Sequence, residues 1–261
     1  MSDRPAGPEL TVLYRIPSGS NAVYRCEDAE GGGWVYKPSA GERPLMDFPD
    51  GSLAAREIAA HDVSAALGWD LVPKTVLAFG PGGRGMAQRW VEEADRGSRV
   101  GDHDPVDVHP ADELPEGRAA VLRGEGAQGE DVVVAHSTDA RLRRIALFDV
   151  VVNNADRKGG HVLVDTAGQT WAIDHGLSFH TEPKLRTVLW GWAGQPLPEP
   201  DLAGLHKVLD GLAAHGSLRD TLSDLLTSAE IEALERRVDG LLTGGVFPAP
   251  GPGYPLPWPL F

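Results

Sequence analysis

The chain has 261 residues, 41% of them hydrophobic, and a formal net charge of −14. This length suits one large domain or two small lobes, and no apolar stretch is long enough to cross a bilayer. The excess of carboxylates repels nucleic acid and anionic lipid headgroups, so we expect no nucleic-acid partner and no stable membrane association. Cys26 is the single cysteine, which excludes an intrachain disulfide and favours a cytoplasmic location.

The first 92 residues are predicted to form strands around one helix. Five segments carry β-branched and aromatic residues between turn sequences: 10–16, 21–27, 33–38, 74–80 and 84–92. Residues 51–68 have helical spacing of apolar residues, with Ser52 as the expected N-cap and Gly68 as the expected stop.

The remainder of the chain is predicted to be mostly helical. Residues 92–130 are acidic and weakly periodic, which predicts a long connection with a short helix near 116–123. Helical spacing then recurs in segments 137–152 (with Ser137 or Thr138 as N-cap), 201–216, 218–227 and 228–242. The Pro-rich segment 244–261 cannot form a regular helix; its Trp258 and Phe261 either attach it to the body or leave it loose.

This order of elements predicts an α+β protein with two lobes. The strand-rich N-terminal lobe is expected over residues 1–92 and the helix-rich C-terminal lobe over 93–261. A crevice between two lobes is a common place for a ligand to bind.

Two neighbouring motifs carry the chemistry. In "DVVVNNADRKGGHVLVD" (149–165), Asp156 follows an apolar helix and lies in a polar loop, where its carboxylate can accept a proton from an attacking hydroxyl. In "AIDHGLSF" (172–179), Asp174 ends a buried strand, a position suited to holding Mg²⁺. A predicted hairpin between the motifs places the two loops side by side. This arrangement is typical of phosphoryl transfer, which depends on positioning and charge neutralisation.

Lys37 and Glu57 form a candidate pair in the N-terminal lobe. Lys37 ends a strand and Glu57 lies inside the helix, so the glutamate can hold the lysine against phosphate oxygens. Taken alone, both residues are more often solvated. The two acidic loops of the C-terminal lobe give the pair its functional interpretation.

Together, "NNADRKGGHVL" and "AIDHGLSF" resemble the catalytic and metal-binding loops of the phosphoinositide 3-/4-kinase-like family, and more closely its type II 4-kinase-related branch with small bacterial relatives. The resemblance implies a bilobal protein-kinase-like fold. It implies transfer of the γ-phosphate of ATP to a hydroxyl group of a protein, lipid or small-molecule acceptor, with Mg²⁺ or Mn²⁺ as the metal. The match is specific over residues 149–179, moderate over 10–92, and weak over 93–136 and beyond 190.

The resemblance also assigns roles to individual residues. Lys37 becomes the ATP lysine, Glu57 its helix partner, Asp156 the catalytic acid/base and Asp174 a metal ligand. The connection between the lobes, where backbone groups hold adenine, would include Gln88, Arg89 and Trp90. The turn 17–21, with Ser18 and Ser20, would cover the phosphates.

His161 departs from the family pattern because the family has a metal-binding Asn at this position. Either His161 ligates the metal, which favours Mn²⁺, or a second metal position is absent. Asn153 or Asn154 could compensate, although their more ordinary role is to end the helix. Lys158 either adds positive charge over the transferring phosphoryl group as a catalytic residue or remains solvated.

Two alternatives to an active kinase remain open. A nucleotide-binding pseudokinase with a regulatory or scaffolding role would follow if His161 has ended catalysis; the retained Lys37, Glu57, Asp156 and Asp174 favour activity. A His/Asp metallohydrolase would use the same loops with further ligands, namely Asp165, His175 and His180. The sequence does not identify the acceptor, and Trp190 and Trp192 either form a platform for it or anchor a loop.

Overall fold

The structure, a computed structural model, describes residues 7–17, 21–43, 45–49, 52–95 and 104–261. These residues form ten strands and five α-helices, which confirms the predicted α+β class. Among the described residues, no helix combines the length and the apolar character needed to cross a membrane.

A five-stranded antiparallel sheet in the order β1-β2-β3-β5-β4 occupies the first part of the chain. Its strands are β1 (Thr11–Arg15), β2 (Tyr24–Glu27), β3 (Gly33–Pro38), β4 (Thr75–Gly80) and β5 (Gly83–Arg89). One face buries Trp34 and Tyr36 in a small core. The other face packs Met86 against helix α1 (Leu53–Leu67). The five predicted strands and the single predicted helix are therefore confirmed.

Helix α1 begins differently from the prediction. Ser52 precedes the helix, but its hydroxyl donates to the carbonyl of Pro49 instead of capping the first turn. The carboxylate of Glu42 accepts hydrogen bonds from the Leu53 and Ala54 N–H groups at 3.0 Å and 2.9 Å, and so takes the place of the cap. Gly68 ends the helix at φ 72°, in the left-handed conformation that favours glycine.

A three-stranded antiparallel sheet in the order β6-β8-β7 follows, where the sequence predicted a connection with a short helix. Its strands are β6 (Val106–Pro110), β7 (Arg118–Glu125) and β8 (Asp131–Ser137). The helix predicted near 116–123 is wrong. Strand β7 contains Ala and Leu, which favour helices, but its pairing with the Val-rich strand β8 outweighs their helix propensity.

The rest of the chain contains one hairpin and four helices. The hairpin pairs β9 (Val162–Val164) with β10 (Thr170–Ala172), and the helices are α2 (Ala140–Val152), α3 (Glu199–Leu212), α4 (Ser217–Ser223) and α5 (Ser228–Gly244). Apolar side chains of α1 to α5 share one large core. Ser137 belongs to β8, so α2 is capped by Asp139, whose side chain accepts from the Leu142 N–H at 2.8 Å, and not by Ser137 or Thr138.

The Pro-rich C-terminal segment lies against the body of the protein. The Leu260 carbonyl accepts a hydrogen bond from the Gly159 N–H at 2.9 Å. The Phe261 ring is so close to Gly159 that a Cβ at that glycine would lie 2.6 Å from the ring. Of the two alternatives left open for this segment, the structure shows attachment, with Phe261 in contact with the body and Trp258 82% exposed.

Candidate active site

Lys37 lies on the face of the first sheet that packs against α1. Strand β3 pairs Lys37 with Met86 of β5, so both side chains point towards the helix. The Lys37 amine donates to Glu57 Oε1 at 2.6 Å, and the Glu57 side chain is only 2% exposed. Oε2 of Glu57 accepts from the His175 N–H at 2.9 Å. Glu57 therefore connects Lys37 to the loop that carries Asp174.

Asp174 is the second carboxylate that contacts the Lys37 amine. Its Oδ1 lies 3.0 Å from the Lys37 amine, and its backbone adopts φ 61°, a conformation that costs energy for a residue with a side chain. The ammonium of Lys37 holds the pKa of Asp174 well below its usual range, against the effect of burial. Burial opposes the charged form of Lys37, but Asp174 and Glu57 together raise the pKa of the amine. The site therefore contains one cation between two carboxylates.

His161 faces Asp174 from the first motif. Its Nδ1 lies 3.1 Å from the Asp156 carbonyl, which can only accept, so Nδ1 carries the proton. Burial lowers the pKa of His161 to about 4, so the ring is neutral and its Nε2 is an unprotonated lone pair. That lone pair lies 3.3 Å from Asp174 Oδ2. Two electron-rich atoms at this separation fit a shared divalent cation, with an imidazole nitrogen and a carboxylate oxygen as ligands.

Asp156 and Lys158 lie on the same loop as His161. The Lys158 amine is 3.2 Å from Asp156 Oδ2, and the two side chains are 19% and 25% exposed. Burial raises the pKa of Asp156, and the ammonium of Lys158 counteracts part of that rise. The carboxylate is therefore accessible to a ligand and more basic than an ordinary aspartate.

Asn154 is fully buried below this loop. Its side-chain oxygen accepts from the Asp156 N–H at 2.9 Å, and its amide nitrogen donates to Asp149 Oδ1 at 3.0 Å. Both ends of the amide are thus used to shape the loop. The role of Asn154 as a metal ligand stays a prediction. Asn153 ends α2 at φ 55°, and its side-chain amide donates to the carbonyls of His180 and Glu182. Its role is therefore to end the helix and hold the segment after Asp174.

Arg157 joins the two motifs, although sequence reasoning did not single it out. Its fully buried guanidinium forms a paired contact with Asp149, with Nε 2.9 Å from Oδ2. It also donates to the carbonyls of His161 and Ile173, at 3.1 Å and 2.8 Å, and lies 2.7 Å from His175 Nε2. The guanidinium therefore fixes the loop of Asp156 relative to the loop of Asp174. Its place directly after Asp156 was the one sequence signal that it belongs to the site.

The segment expected to hold adenine leaves the first sheet at β5. The buried Gln88 amide donates to Thr75 Oγ1 at 2.9 Å, and the Arg89 guanidinium pairs with Asp28 at 3.3 Å. The Trp90 indole donates to Glu92 at 2.9 Å. These three side chains are directed to partners other than the Lys37 group. The residues that follow Trp90 lie beside the β9–β10 hairpin, whose Thr166 N–H donates to the Glu92 carbonyl at 3.2 Å.

Ser18 and Ser20 of the expected phosphate-covering turn lie outside the described residues. The remaining candidate metal ligands have other partners. Asp165 accepts from two N–H groups within its own turn, and His180 accepts from the Glu182 N–H. A His/Asp metallohydrolase needs three or more such side chains around its metal ion. Within the described part of the chain, no group of three or more His, Cys, Asp or Glu side chains is placed to hold a metal ion.

Comparison with known proteins identifies one sequence relative. Protein Rv2133c from Mycobacterium tuberculosis is 49% identical over 265 residues, and the alignment covers 98% of this chain and 94% of that protein. No protein-family model matches the chain.

Solved structures show the architecture. A Golgi casein kinase with Mn/ADP bound aligns with a TM-score of 0.51 and 13% identity, over 90% of this chain and 73% of that one. A Helicobacter pylori proinflammatory kinase, CtkA, aligns with a TM-score of 0.48 and 9% identity, over 92% and 93%. The first alignment confirms the predicted protein-kinase-like fold. The phosphoinositide 3-/4-kinase-like branch stays a prediction.

Proposed function

The chain belongs to the family of Protein Rv2133c from Mycobacterium tuberculosis, and we propose that it is an ATP-dependent phosphotransferase that moves the γ-phosphate of ATP to a hydroxyl group. The observation that carries this proposal is the contact of one amine, Lys37, with Glu57 at 2.6 Å and Asp174 at 3.0 Å. The His161 ring connects this group to the loop of Asp156, because its Nε2 lies 3.3 Å from Asp174 Oδ2 and its Nδ1 lies 3.1 Å from the Asp156 carbonyl. A protein-kinase-like fold is the setting in which such a group serves phosphoryl transfer.

Lys37 binds phosphate oxygens in this proposal. A lysine between two carboxylates stays charged, and Glu57 fixes its amine by a contact that is almost fully buried. Such an amine can leave Asp174, which is 46% exposed, and bind a phosphate without leaving Glu57. Lys37 therefore orients the nucleotide.

Asp174 and His161 would hold the divalent cation. The Golgi casein kinase, whose fold this chain shares, was solved with Mn/ADP bound, which supports Mn²⁺ or Mg²⁺ and a nucleotide as ligands here. An imidazole ligand favours Mn²⁺ over Mg²⁺. A bound cation neutralises charge on the phosphates.

Asp156 positions the acceptor hydroxyl and accepts its proton. Burial raises the pKa of Asp156, which makes its carboxylate a better base than that of an exposed aspartate, and the ammonium of Lys158 opposes part of that rise. The Lys158 amine lies 3.2 Å from Asp156 Oδ2, and in the proposed mechanism it contacts the phosphoryl group as it is transferred to the acceptor.

The segment 87–92 supplies backbone groups for adenine. The Trp90 N–H donates to the Gly33 carbonyl at 2.9 Å and extends the first sheet by one bond. Among the described residues, the next N–H, that of Val91, has no hydrogen-bond partner in the protein. This N–H can therefore pair with an adenine nitrogen.

Incubation of the protein with γ-labelled ATP, Mn²⁺ and a cell lysate tests the proposal. Asp156→Asn should lower phosphoryl transfer by about 10²–10⁴-fold while ATP binding persists, because the variant loses the base and keeps Lys37 and Asp174. Asp239→Asn, at an exposed position of α5, is the matched control and should transfer like the native chain.

The same assay separates the enzyme from a nucleotide-binding pseudokinase. The specific observation that favours a pseudokinase is His161, where the resembling family has Asn. Binding of ATP without transfer by the native chain, under Mn²⁺ and Mg²⁺ alike, would establish the pseudokinase and reject the phosphotransferase.

A further inference from the structure

A cavity of about 770 Å³ lies in the helix-rich part of the protein, between the segment after Asp174, helix α5 and the Pro-rich C-terminal segment. Four basic side chains and one carboxylate, that of Glu182, line it; the basic ones are Lys184, Arg186, Arg236 and Arg237. Such a concentration of positive charge is unexpected in a chain with a net charge of −14. The cavity therefore has its own electrostatic character, distinct from the group around Lys37.

Arg237 places an uncompensated charge beside this cavity. Its Nε donates to the Val151 carbonyl at 3.0 Å and its Nη1 to the His180 carbonyl at 3.3 Å. Among the residues that the structure describes, no carboxylate forms an ion pair with it. Its Nη2 is buried and, within the described residues, has no hydrogen-bond partner. Burial, followed by the neighbouring charge of Arg236, lowers the pKa of Arg237 to about 10. A buried guanidinium of this kind is stabilised when an anion binds nearby.

Arg186 and Arg236 are the side chains free to contact a ligand. Arg186 uses its backbone to pair with the catalytic loop, where its N–H donates to the Asn154 carbonyl at 3.0 Å. In the part of the chain that the structure describes, neither its guanidinium nor that of Arg236 forms an ion pair. Lys184 differs, because its amine pairs with Asp47 at 2.8 Å.

Part of the cavity lining is apolar and is held in place by hydrogen bonds. Trp190 donates its indole N–H to the Pro255 carbonyl at 2.9 Å, and the Thr187 N–H donates to the same carbonyl at 3.0 Å. Pro248 and Pro252 also line the cavity. An aromatic ring and prolines suit the carbon skeleton of a ligand, and guanidinium groups suit a phosphate.

We propose that this cavity binds a small organic phosphate, with its phosphate group on Arg186 and Arg236 and its carbon skeleton against Trp190 and the Pro-rich segment. The proposal goes beyond the phosphotransferase function and does not depend on it. The ligand is held by residues outside the Lys37 group, so loss of nucleotide binding leaves this site intact.

Isothermal titration calorimetry with phenyl phosphate as the probe tests the proposal. The native chain and Lys37→Met should bind the probe alike, because Lys37 belongs to the nucleotide site. Arg186→Ala/Arg236→Ala should weaken binding of the probe by about tenfold or more, since each charge-assisted hydrogen bond to a phosphate contributes substantially to affinity. The single variant Arg236→Ala, at an exposed position, covers the case in which the double variant is poorly folded, and should bind more weakly than the native chain.

Arg84→Ala/Arg123→Ala is the matched control, because it removes two exposed arginines that do not line the cavity. It should bind phenyl phosphate like the native chain. Inorganic phosphate should bind more weakly than phenyl phosphate if the apolar wall contributes. No binding by the native chain, binding lost in Lys37→Met and kept in Arg186→Ala/Arg236→Ala, or equal weakening in the Arg84 and Arg123 control would each overturn the proposal.

Discussion

His161 shows how the chemistry of one side chain depends on its two neighbours. Nδ1 is committed to the Asp156 carbonyl, and burial keeps the ring neutral, so Nε2 has only a lone pair to present to Asp174. An asparagine would offer an oxygen instead. In the proposed site, this choice of ligand would set the preference for the metal, because imidazole suits Mn²⁺ better than Mg²⁺.

Substitution of His161 should therefore change metal dependence. His161→Ala should raise the Mn²⁺ concentration needed for half-maximal ATP-dependent thermal stabilisation by about tenfold or more, since one of two ligands is lost. His161→Asn should restore an oxygen ligand and shift the preference towards Mg²⁺. Thermal-shift titrations with each metal measure both effects. Identical midpoints for the native chain and both variants would show that His161 is not a ligand.

Asp156 and Lys158 predict a specific pH dependence. A general base works only when ionised, so kcat/KM should fall as the pH drops through the pKa of Asp156, and burial places that fall above the pH of an ordinary aspartate. Lys158 lowers this pKa, so Lys158→Met should move the acidic limb to higher pH. Lys207→Met, at an exposed position of α3, serves as control and should leave the limb in place. An acidic limb that Lys158→Met does not move would contradict the assignment of the base.

Site residues that stand out in a local sequence motif can be predicted better than those whose role depends on partners from other parts of the chain. Asp156 and Asp174 stand out because each lies at a polar break after an apolar segment. Arg157 could not be assigned, since its partners Asp149 and His175 come from a helix and a different loop. Asn154 lies inside the first motif, but its side chain is fully buried and shapes the loop of Asp156 from below.

Between the structural elements, the contact of Arg157 with Asp149 joins α2 to the catalytic loop. Both side chains are fully buried, so removal of one leaves the other without compensation. Arg157→Met should lower the free energy of unfolding by about 3–5 kcal/mol, as measured by urea denaturation. The matched control is Arg219→Met, which breaks a more exposed pair with Glu235 and should cost about 0–1 kcal/mol. Equal losses in the two variants would show that the buried pair does not hold the loop.

The elements themselves were predicted unevenly. The strands of the first sheet and the β9–β10 hairpin follow from alternating apolar residues next to turn sequences. Strand β7 was missed because "RAAVLRGE" has helical propensity, and only its long-range pairing with β8 makes it a strand. The start of α2 was misplaced for a related reason, since Ser137 is held in β8.

Across the chain as a whole, we propose the boundary between the lobes at residues 92 and 93. Strand β5 ends at Arg89, and Glu93 already pairs with Asp165 next to the β9–β10 hairpin. Contacts across this boundary include those of Lys37 with Asp174 and of Glu57 with the His175 N–H. The lobes therefore meet at the proposed nucleotide site, and a ligand there would contact both.

The measurement that bears most directly on the proposed nucleotide site is calorimetric titration of the protein with ATP and Mn²⁺. The native chain should bind one ATP per molecule, and Lys37→Met and Asp174→Asn should each weaken binding by about tenfold or more, because each removes a charged contact to the phosphates or their cation. Lys207→Met should bind like the native chain. Absence of ATP binding by the native chain, or equal affinity in all four proteins, would contradict a triphosphate site formed by Lys37 and Asp174.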